Sequence, residues 1–213
     1  MDTDLDDLAT ALYVTCDDLL KAHPERVAPS PPGGFTASIS DAELVTLAVM
    51  QALLGHTSER RWLRHVREHL GAMFPTVPRQ PGYNKRLRAL APVMAWLTTS
   101  LASMTGVGDD TVLLADSTPV ECGRSRETAL RSDLAGWAEY GYCASHSRYF
   151  WGLRLHLLTT VHGVPVGWAL TGAKTNERDA LHDILTSTPG LTDRIPPESM
   201  TIITDKGYYS AGL

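Results

Sequence analysis

Thr111-Val112-Leu113-Leu114-Ala115-Asp116 and, far downstream, Met200-Thr201-Ile202-Ile203-Thr204-Asp205 are two short apolar runs, each closed by an aspartate. Runs of this length and composition read as strands buried on both faces. Between them Tyr149 to Thr160 reads as a longer strand, which Gly163 and Pro165 turn back into a partner around Val166 to Thr171. Asn176 can cap a helix carrying Ala180, Leu181, Ile184 and Leu185, and Pro196-Pro197 leads into the last run. Strand, hairpin, helix, strand is an α/β order, and in open sheets of that class ligand sites form beyond the carboxyl ends of strands. Each aspartate directly follows its run, so two readings stand. Either each merely ends a strand and begins a turn, or the strands are neighbours and the two carboxylates need a cation between them. Magnesium suits such hard oxygen ligands, and two such ions can activate a water and stabilise the leaving oxygen in phosphodiester cleavage.

Upstream of these strands the period changes. Leu5, Leu8, Ala9, Leu12, Cys16, Leu19 and Leu20 recur at helical spacing up to His23-Pro24. Pro24 to Ser38, rich in Pro and Gly, reads as a linker. Ser40-Asp41-Ala42-Glu43 has the spacing of a capping box ahead of Leu44, Val45, Leu47, Ala48, Leu53 and Leu54, with Gly55 at the helix end. A second helix starts near Ser58 and buries Trp62, Leu63, Val66 and Leu70, and a third runs from about Tyr83 to Leu101 with Pro92 expected to kink it. Gly106-Val107-Gly108 then marks a boundary. The expected organisation is a helical N-terminal region over residues 1–105 and an α/β domain over residues 106–213.

The 213 residues, 43% hydrophobic and 20% charged, are those of a soluble globular protein. No uncharged apolar run approaches the roughly 20 residues of a membrane span, and Met1 to Asp7 is acidic where a signal peptide would be basic, so a cytoplasmic location is expected. Cys16, Cys122 and Cys143 are widely spaced, which indicates neither a disulfide framework nor a thiolate zinc site. Cys143 and His146 alone supply too few ligands for zinc.

A net charge of -5 hides an uneven distribution. Residues 1–43 carry nine acids against Lys21 and Arg26. Residues 56–88 carry Arg60, Arg61, Arg64, Arg67, Arg79, Lys85, Arg86 and Arg88 against Glu59 and Glu68. Arg60, Arg64 and Arg67, at i, i+4 and i+7, would project from one face of the second helix while its apolar residues pack the other. Charge of this density fits DNA phosphates, and two short helices around Gly55 could resemble a helix-turn-helix. It equally fits a solvated face docked on the acidic first helix, and both readings stand. Arg60, Arg61, Arg64, Arg67, Lys85, Arg86 and Arg88 are the candidate phosphate contacts.

An ordered set of short motifs goes further than any one of them. Ala115-Asp116-Ser117-Thr118-Pro119-Val120, Tyr140-Gly141-Tyr142, Arg148 to Leu158, Asn176-Glu177-Arg178-Asp179 and Thr204-Asp205-Lys206-Gly207-Tyr208 resemble, with family-like spacing over about residues 109–213, the catalytic half of bacterial insertion-sequence transposases of the DDE class. Residues 40–105 resemble the helical region that precedes it. The resemblance implies an incomplete ribonuclease-H-like mixed sheet, with Asp116 on the first strand and Asp205 on the fourth, both catalytic and both binding Mg²⁺ or Mn²⁺. It implies double-stranded DNA, element ends and target, as the partner, a homo-oligomer as the working state, and cleavage followed by strand transfer as the activity of the complete enzyme.

The family's third acid, a Glu on a later helix, has no counterpart before Leu213, so the chain is expected to be an inactive fragment alone. Glu177 and Asp179 are nearest, but the family keeps such residues in addition to its third acid, and they read as a capped, solvated helix start. The Tyr-x-x-Arg-x-x-x-Glu signature of some relatives matches at Tyr83 and Arg86 and fails at Leu90. Arg154 and His156 share one strand face, where a role near the scissile phosphate and a hydrogen-bonded structural role are both open. A non-catalytic DNA-binding remnant or regulator of an intact transposase is the alternative function. An aspartate-nucleophile phosphatase is disfavoured, because Thr118 stands where that chemistry needs a second Asp.

Overall fold

The computed structural model describes residues 3–27, 38–123, 126–143, 147–205 and 207–208. The chain divides into two compact units, Met1–Leu97 and Thr98–Leu213. The division falls within a long helix, ahead of the Gly106 to Gly108 turn at which the sequence pattern changes.

The first unit is helical: α1 (Thr3–Ala22), α2 (Asp41–Leu53), α3 (Glu59–His69) and the start of α4 (Gln80–Met104), which continues through Pro92. Of the expected linker, Pro24–Arg26 forms a 3₁₀ turn and residues 28–37 lie outside the described residues. The capping box at α2 is complete: Ser40 Oγ accepts from the Glu43 amide and Glu43 Oε2 from the Ser40 amide. At its other end the Gly55 amide donates to Ala52 O and the His56 amide to Gln51 O, a Schellman motif that needs φ +69° at Gly55. Leu44, Leu47 and Met50 of α2, with Trp62, Leu63 and Val66 of α3, Tyr83, Leu90, Val93 and Leu97 of α4 and Cys16 of α1, form one core. Tyr83 ties α4 to the last turn of α2 by donating to Gln51 Oε1 at 3.1 Å, while Glu59 accepts from Gln80 and Asn84.

The second unit is a mixed sheet: β1 (Val112–Gly123), β2 (Glu139–Cys143), β3 (Arg148–Thr160), β4 (Pro165–Gly172) and β5 (Thr201–Thr204), with helices α5 (Arg126–Arg131), α6 (Glu177–Ser187) and α7 (Leu191–Arg194). The hairpin forms as expected, with β3 and β4 antiparallel around Gly163. β1 pairs antiparallel with β3 on one side and parallel with β5 on the other, and β2 and β4 share the far edge of β3. This is the mixed α/β architecture that the sequence implies, consistent with part of a ribonuclease-H-like sheet. Leu113, Ala115, Leu158, Val166, Leu181, Ile184, Leu191 and Ile195 build its core beneath α6 and α7.

Two features differ from the sequence reading. Asp116 does not follow its strand but lies inside β1, which continues to Gly123 because residues 116–123 keep their ladder with β3 after β5 has ended. The proline that suggests a turn, Pro119, is tolerated there because β1 has become an edge on its β5 side. The short strand β2 and the helix α5 are additional to the expected order.

β5 closes one side of the sheet with four residues, and its outer edge has no strand partner among the described residues. On the face away from α6, its Ile203 is 54% exposed beside Leu114 at 37%. An apolar edge of this kind pairs with another chain. Residues 1–213 expressed alone are therefore expected to self-associate. Light scattering should give a mass above 23.2 kDa, which Ile203→Lys returns toward monomer; a monodisperse wild-type monomer with a sharp melt would contradict it.

Candidate active site

Ala115 stands opposite Thr204 in the parallel β1–β5 register, so the residues that follow them, Asp116 and Asp205, come side by side where the ladder ends. Both are exposed. Each carboxylate is oriented by one backbone amide: Ser117 N–H donates to Asp116 Oδ1 at 2.7 Å and Gly207 N–H to Asp205 Oδ1 at 2.9 Å. Among the described residues the second oxygen of each accepts no hydrogen bond, so each keeps a hard oxygen facing solvent. That donor set fits a divalent cation that retains waters in its other positions. Among the described residues no three His, Cys, Asp or Glu side chains converge on a common metal position.

Behind this pair lies a polar network that the sequence does not reveal. Alternation along β1 turns Ser117 to the side covered by α6 and Asp116 to the other. Glu177, the first residue of α6, accepts from Arg154 Nη1 at 2.6 Å and from Ser117 Oγ at 3.0 Å, and the Arg154 and Glu177 side chains are each only 19% exposed. Glu177 is thus not the solvated helix start expected from its position. Asn176 does cap α6, accepting from the Arg178 amide, while Glu177 turns inward because a guanidinium waits on β3.

His156 is fully buried. Thr171 Oγ1 donates to Gly172 O, so it accepts from His156 Nε2–H at 3.1 Å, which leaves Nδ1 to accept from the Tyr208 hydroxyl at 3.0 Å. Of the two roles open for His156, hydrogen bonding within the fold is the one these contacts describe. Burial, with the Glu177, Asp116 and Asp205 charges adding to it, pushes the Tyr208 hydroxyl up to about 12, so it stays a neutral donor. Burial first, then the Arg154 charge, holds His156 below the usual histidine range. The unfolded chain therefore takes up a proton on this residue at a higher pH than the folded one, and the stability present above about pH 6.5 is lost as pH falls through that value toward the lower folded pKa. Melting temperatures between pH 7.5 and 5 should fall for the wild type and fall less for His156→Gln; parallel slopes would contradict this assignment.

The basic block sorts into two groups. Arg67 donates to Leu63 O at 3.1 Å and to Pro78 O at 2.7 Å, and Arg86 donates to Ile39 O and to Asp41. Those two expected phosphate contacts hold carbonyls and a carboxylate of their own unit. Arg60, Arg61, Arg64, Lys85 and Arg88 are exposed, and among the described residues they make no ion pair or hydrogen bond through their side chains. α1 packs on α2, and no ion pair among the described residues joins its acids to α3.

A cleft of about 400 Å³ lies at the opposite end of β1 and β3, lined by Glu121, Tyr140, Arg148, Tyr149 and Trp151, and neither aspartate lines it. Cys143 is buried, and His146, its suggested partner, lies outside the described residues. Among the described residues no helix is long and apolar enough to cross a membrane. The family model of the transposase DDE domain matches residues 107–213. No curated protein and no solved structure gives a significant match.

Proposed function

The chain belongs to the transposase DDE domain family, and on that premise we propose that it is a transposase part in which residues 106–213 carry two metal-binding acids and the helical residues 1–105 hold double-stranded DNA. The observation that carries this reading is the β1–β5 register, which supports Asp116 and Asp205 acting as one pair. Mg²⁺ or Mn²⁺, when bound, supplies Lewis acidity at a phosphate oxygen. The chain's own part is to present two carboxylate oxygens from a rigid ladder, held in orientation by the Ser117 and Gly207 amides. Arg60, Arg61, Arg64, Lys85 and Arg88 would meet DNA phosphates, positioning the duplex without reading its sequence. The complete enzyme would cleave phosphodiester bonds at the ends of a mobile element and join the freed 3′ hydroxyls to target DNA, working as a homo-oligomer.

Two converging acids fix ions less firmly than three, and a misplacement of about 1 Å can cost on the order of a hundredfold in rate. We therefore propose that residues 1–213 alone bind DNA but do not cut it. This also favours the second reading, a non-catalytic regulator that occupies element ends. The test incubates the purified chain with duplex DNA and Mg²⁺ or Mn²⁺. Salt-dependent binding without nicking is expected. Metal-dependent nicking abolished by Asp116→Asn would overturn the inactivity of the chain but keep the pair, and nicking indifferent to Asp116 and Asp205 would overturn the pair itself.

A further inference from the structure

Glu177 touches the chain next to both candidate acids. Its Oε1 accepts from Ser117, the residue after Asp116, whose amide orients that aspartate. Its Oε2 lies against Gly207, the residue whose amide orients Asp205, so closely that a Cβ built there would sit 1.8 Å from it. Gly207 is needed for that approach. Arg154, opposite Pro119 in the β1–β3 register, holds the carboxylate in place, and the N-terminus of α6 favours its charge. In the same turn Tyr208 is 3% exposed, and its hydroxyl is fixed by His156, which stands opposite Ser117 on β3.

We propose that Glu177 and Tyr208 are positioning residues that clamp the turn carrying Asp205 onto β1, and so set where Asp205 stands relative to Asp116. The inference rests on the reading of those two aspartates as a metal-binding pair, but the clamp itself needs no metal. Glu177 grips from α6 and Tyr208 from the core, so the turn after the short strand β5 is held by side chains where the ladder has run out. Neither group is a ligand in this scheme. Tyr208 faces His156 and Glu177 faces Arg154, and both act through the turn.

The test measures amide hydrogen exchange by NMR at Gly207 and Tyr208 in the metal-free 213-residue chain, with Mn²⁺ titration as a second readout. Tyr208→Phe removes only the hydroxyl, and Gly207→Ala forces Glu177 and the turn apart. Each is expected to raise exchange at residues 207–208 by about tenfold or more while the β1 and β3 amides keep their wild-type rates. Mn²⁺ affinity should fall by about 10–100-fold with both aspartates intact, the size typical of lost outer-shell support. Unchanged exchange at residues 207–208 in both variants would overturn the clamp. So would exchange raised equally along β1 and β3, the mark of a merely structural role. A wild-type chain that binds no Mn²⁺ would instead overturn the metal-binding reading, and the exchange rates would still decide the clamp.

Discussion

Asp116→Asn or Asp205→Asn is expected to weaken Mn²⁺ binding by the chain at least about a hundredfold, while leaving its melting temperature within a few degrees of wild type. The magnitude follows from comparison with outer-shell groups, whose loss already costs about 10–100-fold, whereas these carboxylates would supply the bonds themselves. The small effect on stability follows from exposure: both side chains face solvent, each accepts a single hydrogen bond from a nearby amide, and Asn Oδ1 can accept the same bond. Removing the charges also relieves repulsion between neighbouring carboxylates, which acts in the stabilising direction. Calorimetric titration with Mn²⁺ checks the first part and a thermal melt the second. Two single variants that each bind as tightly as wild type would mean that the aspartates do not share an ion.

The second large effect concerns the basic helix. Arg60→Ala, Arg61→Ala and Arg64→Ala together are expected to weaken duplex binding across sequences and to flatten the dependence of log affinity on log salt by up to about 2.7, at about 0.9 for each phosphate no longer neutralised. Arg67→Ala is the informative control. Its guanidinium holds the Leu63 and Pro78 carbonyls, so it should lower the melting temperature and leave the salt slope nearly unchanged. A fluorescence titration of labelled duplex over roughly 50 to 200 mM salt separates the two. A triple variant with the wild-type slope would make Arg60, Arg61 and Arg64 a solvated face and nothing more.

What was legible in the sequence was local. The capping box at Ser40 and Glu43, the glycine at the end of α2, the hairpin at Gly163 and the Asn176 cap each depend on residues within a turn of one another, and each forms as expected. The extent of β1 was not legible, because Ser117-Thr118-Pro119 carries turn-forming residues and only the partner strand β3 keeps them extended. β2 is hidden for a similar reason: Glu139 to Cys143 is short, contains Gly141, and is a strand because β3 is there to pair it. For the site, strand-end position singled out Asp116 and Asp205, but the roles of the charged residues around them were hidden. Glu177 reads as an ordinary first-turn acid until Arg154, twenty-three residues away, arrives beside it. Arg67 and Arg86 read like their neighbours in the basic block, and only the carbonyls they reach tell them apart.

The most direct test of the account replaces the divalent ion with Fe²⁺ and maps where the chain's own backbone is cut by locally generated hydroxyl radicals in the presence of ascorbate and peroxide. One ion held by Asp116 and Asp205 should cut the chain near both positions at once, and excess Mg²⁺ or either Asp→Asn substitution should suppress both cuts together. Cuts near only one aspartate, or cuts that persist in Asp116→Asn and Asp205→Asn, would contradict the claim that β1 and β5 bring the two acids together as a single metal site.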